Sequence, residues 1–233
     1  MVKITLKDGS IREVENGTTA LAFLKSFSNS LAKKALSAKI DGVNSDLMTP
    51  LTKDCAVEFM TFDDADGRWA LRHSASHVLA QAIKRIYGEK NVQLAIGPAI
   101  ENGFYYDIDM KKQLGQADLD KIQKEMEKIV KENLPIVRSE VQRADAIKMF
   151  EEKGEIYKVM LIKDLPEDAL ITLYTQGEFT DLCAGPHLVS TGKIKAIKLQ
   201  NITGAYWRGD AKNKMLQRIY GKAIKKKADL DAY

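Results

Sequence analysis

The three histidines of this chain all lie in two short motifs that share one spacing. His73 and His77 form a His-x-x-x-His pair, and Cys183, one of two cysteines, precedes His187 by the same interval. Imidazole and thiolate groups bind zinc-class metals, and imidazole also activates water and transfers protons near neutral pH. The two motifs therefore predict one polar site that is assembled from distant parts of the chain.

The residues alone leave three chemistries open for this site. Four ligands would fill the tetrahedral shell of a structural zinc, whereas three ligands and a water would make a catalytic zinc with a hydroxide nucleophile. Without a metal, the histidines and Lys158 or Asp181 would orient a water for attack on an activated carbonyl. The sequence contains no His-Glu-x-x-His motif, which argues against a standard zinc peptidase.

The segment around the first motif has the periodicity of an amphipathic helix that ends at Gly88. At about 100° per residue, one face of this helix is apolar. That face comprises Leu71, Ala75, Val78, Leu79, Ala82, Ile83 and Ile86. His73 and His77 project from the opposite face, beside Lys84. We interpret that face as a functional polar surface rather than as part of the core.

Composition indicates a globular protein without a membrane segment. The chain has 233 residues, of which 45% are hydrophobic and 29% charged, enough for one large or two modest cores. A net charge of +4 permits contact with nucleic acid without requiring it. The sequence lacks an apolar signal segment, a run long enough to span a bilayer and a disulfide framework. We therefore expect a cytoplasmic protein with no membrane partner.

The pattern of the chain predicts an α+β protein with two domains. Residues 1–62 combine short strands with one helix, as in a β-grasp, ubiquitin-like module. Strands are expected there at 2–6, 11–14, 38–40, 41–43 and 57–59. The acidic stretch 63–67 marks the boundary, and residues 63–224 predict a larger α+β domain with an antiparallel sheet and packed helices. Residues 225–233 are predicted to start a basic linker helix.

Within the larger domain, the turn signal Asn102-Gly103 precedes a predicted strand that carries Tyr106. An amphipathic helix is expected from 118 to 133, and a shorter helix ends at Gly154. Further strands are predicted at 136–141, 170–175, 197–202 and 215–220. The segment 179–187, which holds the second motif, is predicted to be rich in turns.

The two motifs also carry a family resemblance. His73-Ser74-Ala75-Ser76-His77, together with Cys183-Ala184-Gly185-Pro186-His187, resembles the second additional domain of threonyl- and alanyl-tRNA synthetases. The stretches Ile96-Gly97-Pro98, Asn102-Gly103-Phe104-Tyr105-Tyr106-Asp107 and Gly204-Ala205-Tyr206-Trp207-Arg208-Gly209-Asp210 are similar to the threonyl branch. The first module resembles the TGS domain, so the resemblance to the N-terminal region of a bacterial-type threonyl-tRNA synthetase covers essentially the whole chain.

This resemblance implies post-transfer editing, in which an aminoacyl-tRNA deacylase hydrolyses the ester of mischarged seryl-tRNA(Thr). A synthetic pocket that accepts threonine discriminates against serine by only about 1–3 kcal/mol, the worth of one methyl group, so a second site has to remove the error. The sequence stops at Tyr233. The class II aminoacylation domain and the anticodon-binding domain are therefore expected to lie outside it, and we expect no activation of threonine.

The resemblance also implies roles for individual residues. The catalytic set is His73, His77, Lys158 and Asp181. The residues expected to bind substrate are Tyr106, Cys183, His187 and Gly97. Editing requires no cofactor in this interpretation. The alternative is a zinc ion held by members of the set His73, His77, Cys183 and His187.

The implied partners are the acceptor end of tRNA(Thr) with its seryl ester and the remaining synthetase domains. Basic residues after the second motif are candidates for contact with the acceptor-stem backbone: Lys193, Lys195, Lys198, Arg208, Lys212, Lys214 and Arg218. Two other functions stay open, namely a non-catalytic tRNA-binding module with a structural zinc and a free-standing alanyl-type deacylase. The threonyl-like stretch Tyr206-Trp207-Arg208 argues against the latter.

Overall fold

A computed structural model of the chain describes residues 1–225 and separates them into two compact units. The first unit comprises residues 1–71 and 185–189, and the second comprises residues 72–184 and the described residues from 190 onward. The predicted linker helix at 225–233 lies, from residue 226, outside the described residues. The domain boundary predicted at residues 63–67 stays a prediction.

The first unit is built on a mixed sheet of five strands in the order β2-β1-β7-β4-β5. Its elements are β1 (Val2–Leu6), β2 (Ile11–Val14), β3 (Thr18–Thr19), α1 (Ala20–Phe27), α2 (Asn29–Lys34), β4 (Ser37–Ile40), β5 (Val43–Ser45), β6 (Pro50–Leu51) and β7 (Cys55–Met60). The hydroxyl of Thr19 accepts a hydrogen bond from the Ala22 amide and caps α1. Phe23 and Leu24 of that helix are buried in one cluster with Ile4. This arrangement confirms the predicted β-grasp fold.

One predicted strand of the first unit is wrong. Asp41 and Gly42 have φ values of 48° and 83°, which belong to a tight turn rather than to extended backbone. The turn joins β4 to β5, where Ile40 pairs with Val43. Two residues at positive φ suit the twist of a two-residue hairpin, so the strand prediction at 41–43 holds only from Val43.

The histidine helix, α3 (Ala65–Tyr87), is buried on every side over its middle part. Every residue from His73 to Lys84 is buried, so the face that the periodicity separated from the apolar stripe is also enclosed. The helix ends as predicted at Gly88, where φ is 92° and the amide donates to the Lys84 carbonyl at 2.9 Å. The polar side chains of this helix therefore need partners inside the protein.

The second unit contains an antiparallel sheet in the order β14 (Ala196–Tyr206), β15 (Met215–Ile224), β10 and β8, with β9 paired to β10. These strands are β8 (Gln93–Leu94), β9 (Ala99–Ile100) and β10 (Gly103–Asp109), followed later in the chain by the two longest. Helix α4 (Gln116–Glu132) packs beside the sheet and buries Leu119, Ile122, Met126 and Ile129, as its pattern predicts. Gln123 of this helix bonds the backbone of Ile197 and Leu199 at 2.8 and 2.9 Å.

A second sheet in this unit has three antiparallel strands and is covered by two short helices. The remaining elements are β11 (Val137–Val141), α5 (Arg143–Glu152), α6 (Ile156–Asp164), β12 (Ile171–Gln176), β13 (Phe179–Leu182), β14 (Ala196–Tyr206) and β15 (Met215–Ile224). Phe150, Ile162 and Leu173 share one buried cluster between helices and sheet. The α+β class with antiparallel sheets is thus confirmed.

Two elements of this sheet layer differ from the sequence-based expectation. No helix was predicted over α6, because its buried residues Tyr157, Lys158 and Val159 are consecutive and give no helical period. The segment predicted as turns begins with strand β13, where Asp181 pairs with Tyr174 of β12.

Across residues 1–225, no helix has both the length and the apolarity that crossing a bilayer requires.

Replacing Gly221 with alanine is expected to destabilise the second unit. Gly221 lies opposite Phe104 in the β10–β15 pairing, and a Cβ there would come within 2.4 Å of the buried Phe104 ring. Overpacking of this kind costs about 1–3 kcal/mol. Urea denaturation followed by circular dichroism measures the loss. The matched control is Gly115→Ala, where a Cβ meets nothing within 4 Å; equal stability of the two variants would contradict the prediction.

Candidate functional site

The second unit brings six of the predicted site residues together from separate elements. The histidines of the first motif lie on α3, and the remaining residues come from β10, α6, β13 and the residue that follows β13. In chain order these residues are His73, His77, Tyr106, Lys158, Asp181 and Cys183. Because they are spread over more than a hundred residues, only the folded sheet and helices can bring their side chains into contact.

Lys158, Tyr106 and Asp181 form a closed triangle of polar contacts. The Lys158 ammonium lies 2.7 Å from Asp181 Oδ1 and donates to the Tyr106 hydroxyl at 2.9 Å. That hydroxyl in turn donates to Asp181 Oδ2 at 2.5 Å. The three residues are only 1–3% exposed. A buried charge needs an opposite charge and hydrogen bonds, and each charged group of the triangle has both.

The histidines and the cysteine continue this network. His77 Nε2 lies 3.6 Å from Asp181 Oδ2, an electrostatic contact beyond hydrogen-bond distance. The His73 and His77 rings meet edge to face with centroids 5.2 Å apart. His73 Nε2 is 3.3 Å from Cys183 Sγ. The result is a continuous row of ionisable groups from the Lys158 ammonium to the thiol.

Burial and the neighbouring charges set the protonation of the row. Burial, reinforced by the Lys158 ammonium and opposed by Asp181, lowers the pKa of His77 to about 4. Burial would raise the pKa of Asp181, but the charges of Lys158 and His77 and two hydrogen bonds hold it below its usual range. Burial and then the Asp181 carboxylate raise the pKa of Tyr106 well above its usual value. At neutral pH the site therefore holds a neutral His77, a carboxylate and a protonated phenol.

Gly97 packs against the Tyr106 ring of the triangle, and Ser76 contacts Gly97. A Cβ at Gly97 would lie 2.1 Å from the Tyr106 ring, so only glycine permits this approach. The Ser76 hydroxyl is within hydrogen-bond distance of the Gly97 and His73 carbonyls, at 2.6 and 2.7 Å. Gly97 thus contacts a site residue through its lack of a side chain, and its predicted role in substrate binding stays a prediction.

Cys183 is held by its backbone, and the residue is partly exposed. Its amide donates to the Thr172 carbonyl at 3.1 Å, and the Thr172 hydroxyl donates to the Cys183 carbonyl. Of His73, His77 and Cys183, only Cys183 is partly exposed. The neighbouring strand β12 therefore fixes the backbone that carries the sulfur.

His187 belongs to the segment 185–189, which clusters with the first unit. Within that unit its amide donates to Asp46 Oδ1 at 2.6 Å, and the residue is only 1% exposed. The prediction that His187 acts together with His73, His77 and Cys183 stays a prediction.

The donor atoms of the second unit fit a zinc ion. His73, His77 and Cys183 each offer one nitrogen or sulfur atom, and these atoms lie within 4.8 Å of one another. Zinc binds imidazole and thiolate at about 2.0–2.3 Å in a tetrahedral arrangement, which a group this compact can provide with small side-chain movements. The group could therefore hold zinc, and a bound zinc would supply a Lewis acid.

Sequence reasoning missed two neighbours of the site. Phe179 packs edge-on against His77, with ring centroids 6.1 Å apart, and Thr172 fixes Cys183. The signal for Phe179 was available in principle, because Phe179 and Asp181 share one face of β13. No sequence pattern pointed to Thr172.

Acidification is expected to destabilise the protein through His77. The folded imidazole has a pKa lowered from 6.5 to about 4, so the unfolded chain takes up a proton first as the pH falls. The contribution of His77 to stability is complete above about pH 6.5 and is lost as the pH falls toward 4. In urea denaturation, the contribution of His77 to the free energy of unfolding should be about 2 kcal/mol smaller at pH 5 than at pH 7.5.

The matched variant for this measurement is His77→Gln, which removes the titrating group. Its loss of stability between the two pH values should be smaller than that of the wild type by about 2 kcal/mol. The same pH dependence in both proteins would contradict a buried, neutral imidazole at this position.

Comparison with known proteins identifies domains in both halves of the chain. Residues 2–61 match the TGS domain, and residues 171–220 match the threonyl and alanyl tRNA synthetase second additional domain. Over 233 residues the chain is 61% identical to threonine–tRNA ligase of Clostridium acetobutylicum and 56% identical to that of Acetivibrio thermocellus. It is 54% identical to that of Desulforamulus reducens.

In each of these comparisons the whole chain is covered, but it spans only 36% of the length of the relative. The histidine pair on α3 lies between the two matched regions, and Asp181 and Cys183 lie inside the second. The chain therefore contains regions that match the TGS domain and the second additional domain, and over its whole length it is similar to the N-terminal part of bacterial threonine–tRNA ligases.

Proposed function

We propose that the site in the second unit hydrolyses the ester of mischarged seryl-tRNA(Thr) and so performs post-transfer editing. The observation that carries this proposal is the buried triangle of Lys158, Tyr106 and Asp181, which adjoins His73, His77 and Cys183. Charged groups enclosed in this way are costly to a fold and cluster at functional sites. The match to the second additional domain and the identity to threonine–tRNA ligases add independent support.

Ester hydrolysis makes three demands on such a site. A water must be held against the carbonyl carbon, the tetrahedral oxyanion must be stabilised, and the departing ribose oxygen must receive a proton. The new bond joins the water oxygen to the carbonyl carbon, and the bond from that carbon to the ribose oxygen breaks. The proton that the water loses is the one that the ribose oxygen finally gains.

The residues of the second unit can divide these tasks. In the proposal, His73 and Lys158 bind the water, and the ammonium of Lys158 also stabilises the oxyanion. Asp181 already bonds both Lys158 and Tyr106, which favours a role in orienting these two groups, with the substrate amino group as a further partner. Neutral His77 can accept a proton, because burial keeps its pKa below neutrality.

Selection of serine over threonine requires a pocket that rejects one methyl group. We assign this task to Cys183 and His187, four residues apart in the chain. Thr172 holds the Cys183 backbone in place, and a pocket that rejects by size requires a wall on a rigid backbone. The same proposal places the protein in the cytoplasm. It gives the protein two partners, the acceptor end of tRNA(Thr) and the additional synthetase domains.

The basic residues predicted to meet the tRNA backbone differ in their availability. Arg218 makes two bonds to Asp107 at 2.7 and 2.9 Å, and Lys214 lies 2.8 Å from Asp109. Arg208 forms an ion pair with Asp164, and Lys195 donates to the Gly192 carbonyl at 3.3 Å. Lys198 and Lys212 are exposed, and their side chains make no ion pair to another described residue. We therefore favour these two lysines for contact with phosphates, which makes binding depend on salt.

A non-catalytic tRNA-binding module with a structural zinc is the second candidate. It is favoured by the compact donor group of His73, His77 and Cys183. A free-standing alanyl-type deacylase has less support, because the relatives described above are threonine–tRNA ligases.

Replacing Lys158 with alanine should lower the rate of seryl-tRNA(Thr) deacylation at least about 100-fold, because the oxyanion and the water lose their cation. The measurement is release of labelled serine from tRNA. The matched control is Lys163→Ala, which removes an exposed lysine from the same helix and should keep the wild-type rate. His73→Ala should be as inactive as Lys158→Ala. Full activity of both site variants, with circular dichroism unchanged, would refute the proposal.

Removal of metal distinguishes the two candidate functions. We expect deacylation to persist after dialysis against a chelator, because the proposed steps use only side chains. Zinc content by atomic absorption and thermal unfolding are measured on the same samples. About one zinc per chain, with unfolding and loss of turnover on chelation, would instead support the structural-zinc module and contradict metal-free hydrolysis.

A further inference from the structure

A buried ion pair outside the site joins two of the helices that carry site residues. Lys84 on α3 and Glu155, the residue that precedes α6, form this pair. Lys84 is 6% exposed and Glu155 is 3% exposed. Within residues 1–225, neither side chain makes a hydrogen bond or ion pair to Lys158, Tyr106 or Asp181, so the hydrolytic steps above do not use them.

Both charges of this Lys84–Glu155 pair have further partners. The Lys84 ammonium donates to the carbonyls of Glu89 and Val92 at 2.7 and 2.6 Å. With Glu155 these carbonyls provide three acceptors for three N–H groups. The second oxygen of Glu155 accepts from the Leu94 amide at 2.8 Å. The pair thus holds α3, the start of α6 and the entry into β8 at one point.

Each of these three elements leads to a site residue. Lys84 follows His77 by seven residues, which places both on nearly the same face of α3. Leu94 of β8 pairs with Ile108 of β10, the strand that carries Tyr106. Lys158 is the third residue of α6. The pair therefore lies where the elements that carry or pair with His77, Tyr106 and Lys158 come together.

Stability alone is a weak reason for such a pair. Removing an ammonium and a carboxylate from water costs much of what their attraction returns, and well-packed apolar residues often stabilise a core equally well. The charge of Glu155 also reaches the site: it is among the causes that raise the pKa of Tyr106. Burial raises the pKa of Glu155, and the ammonium groups of Lys84 and Lys158 oppose that rise.

We infer that Lys84 and Glu155 are positioning residues for Lys158. The pair fixes the first turn of α6 relative to His77 and Tyr106. This inference rests on the proposed hydrolysis, because it assigns the pair a role in that reaction. A misplacement of about 1 Å in a catalytic group can cost about 100-fold in rate, so a small shift of α6 would be visible in turnover.

The test uses the neutral double variant Lys84→Met/Glu155→Gln, in which the glutamine can still accept from the Leu94 amide. We expect a folded protein whose kcat for seryl-tRNA deacylation falls about 10- to 100-fold while KM changes less than about twofold. The control is Lys39→Met/Asp66→Asn, which removes an ion pair at the other end of α3. This control should keep both constants.

A second readout does not depend on turnover. The 13Cε signal of Lys158, assigned by its disappearance in Lys158→Arg, should shift in the Lys84→Met/Glu155→Gln variant and stay in place in the control. A wild-type protein without deacylase activity would refute the proposed function, and the signal would then decide on the positioning alone. An unshifted signal together with wild-type kcat in the double variant would overturn the inference.

Glu155→Asp provides the test if the double variant fails to fold. It keeps the charge but retracts the carboxylate by one methylene, so we expect a smaller loss of kcat and a smaller shift of the Lys158 signal. A folded Glu155→Asp protein with an unshifted signal and full kcat would also overturn the inference.

Discussion

The contact between Lys158 and Asp181 is the constraint on which the site depends. Both groups are nearly excluded from water, and a buried ion without its counterion costs more than most single interactions in the protein contribute. The 2.7 Å contact is therefore possible only if α6 and β13 keep fixed positions relative to each other. The pairing of Asp181 with Tyr174, and of β12 with β11 beyond it, supplies that register.

The same requirement for partners extends along helix α3. Gln81 is fully buried and bonds both the side chain and the backbone of Gln176 at 2.9 and 3.2 Å. The buried Ser76 hydroxyl likewise donates to the Gly97 carbonyl at 2.6 Å. A helix enclosed on all sides but rich in polar groups gives up hydrophobic stabilisation for specificity of position. That exchange is useful where imidazoles have to point at a fixed carboxylate.

Local patterns predicted the elements whose stabilisation is local. The β-grasp module, the apolar face of α4 and the end of α3 at Gly88 follow from alternation, helical period and capping. Helix α6 was not predicted because its buried residues Tyr157, Lys158 and Val159 are consecutive and give no helical period, and the burial of Lys158 depends on its distant partner Asp181. The spacing of His73 and His77 indicated a site, but their proximity to Asp181 depends on contacts more than a hundred residues apart, which no local rule contains. From the residues alone, Lys158 was one of two groups that could orient a water, and the family resemblance placed it in the catalytic set.

The geometry also explains why one arrangement suits both metal binding and metal-free hydrolysis. A neutral His77 can ligate a metal or accept a proton, and Asp181 at 3.6 Å can orient that ring in either case. The two chemistries diverge at Cys183, because metal binding requires a thiolate whereas a pocket wall requires only its bulk. Lys158 supports the proposed metal-free hydrolysis: its ammonium, 2.7 Å from the carboxylate beside His77, would oppose a nearby dication and stabilise a developing oxyanion.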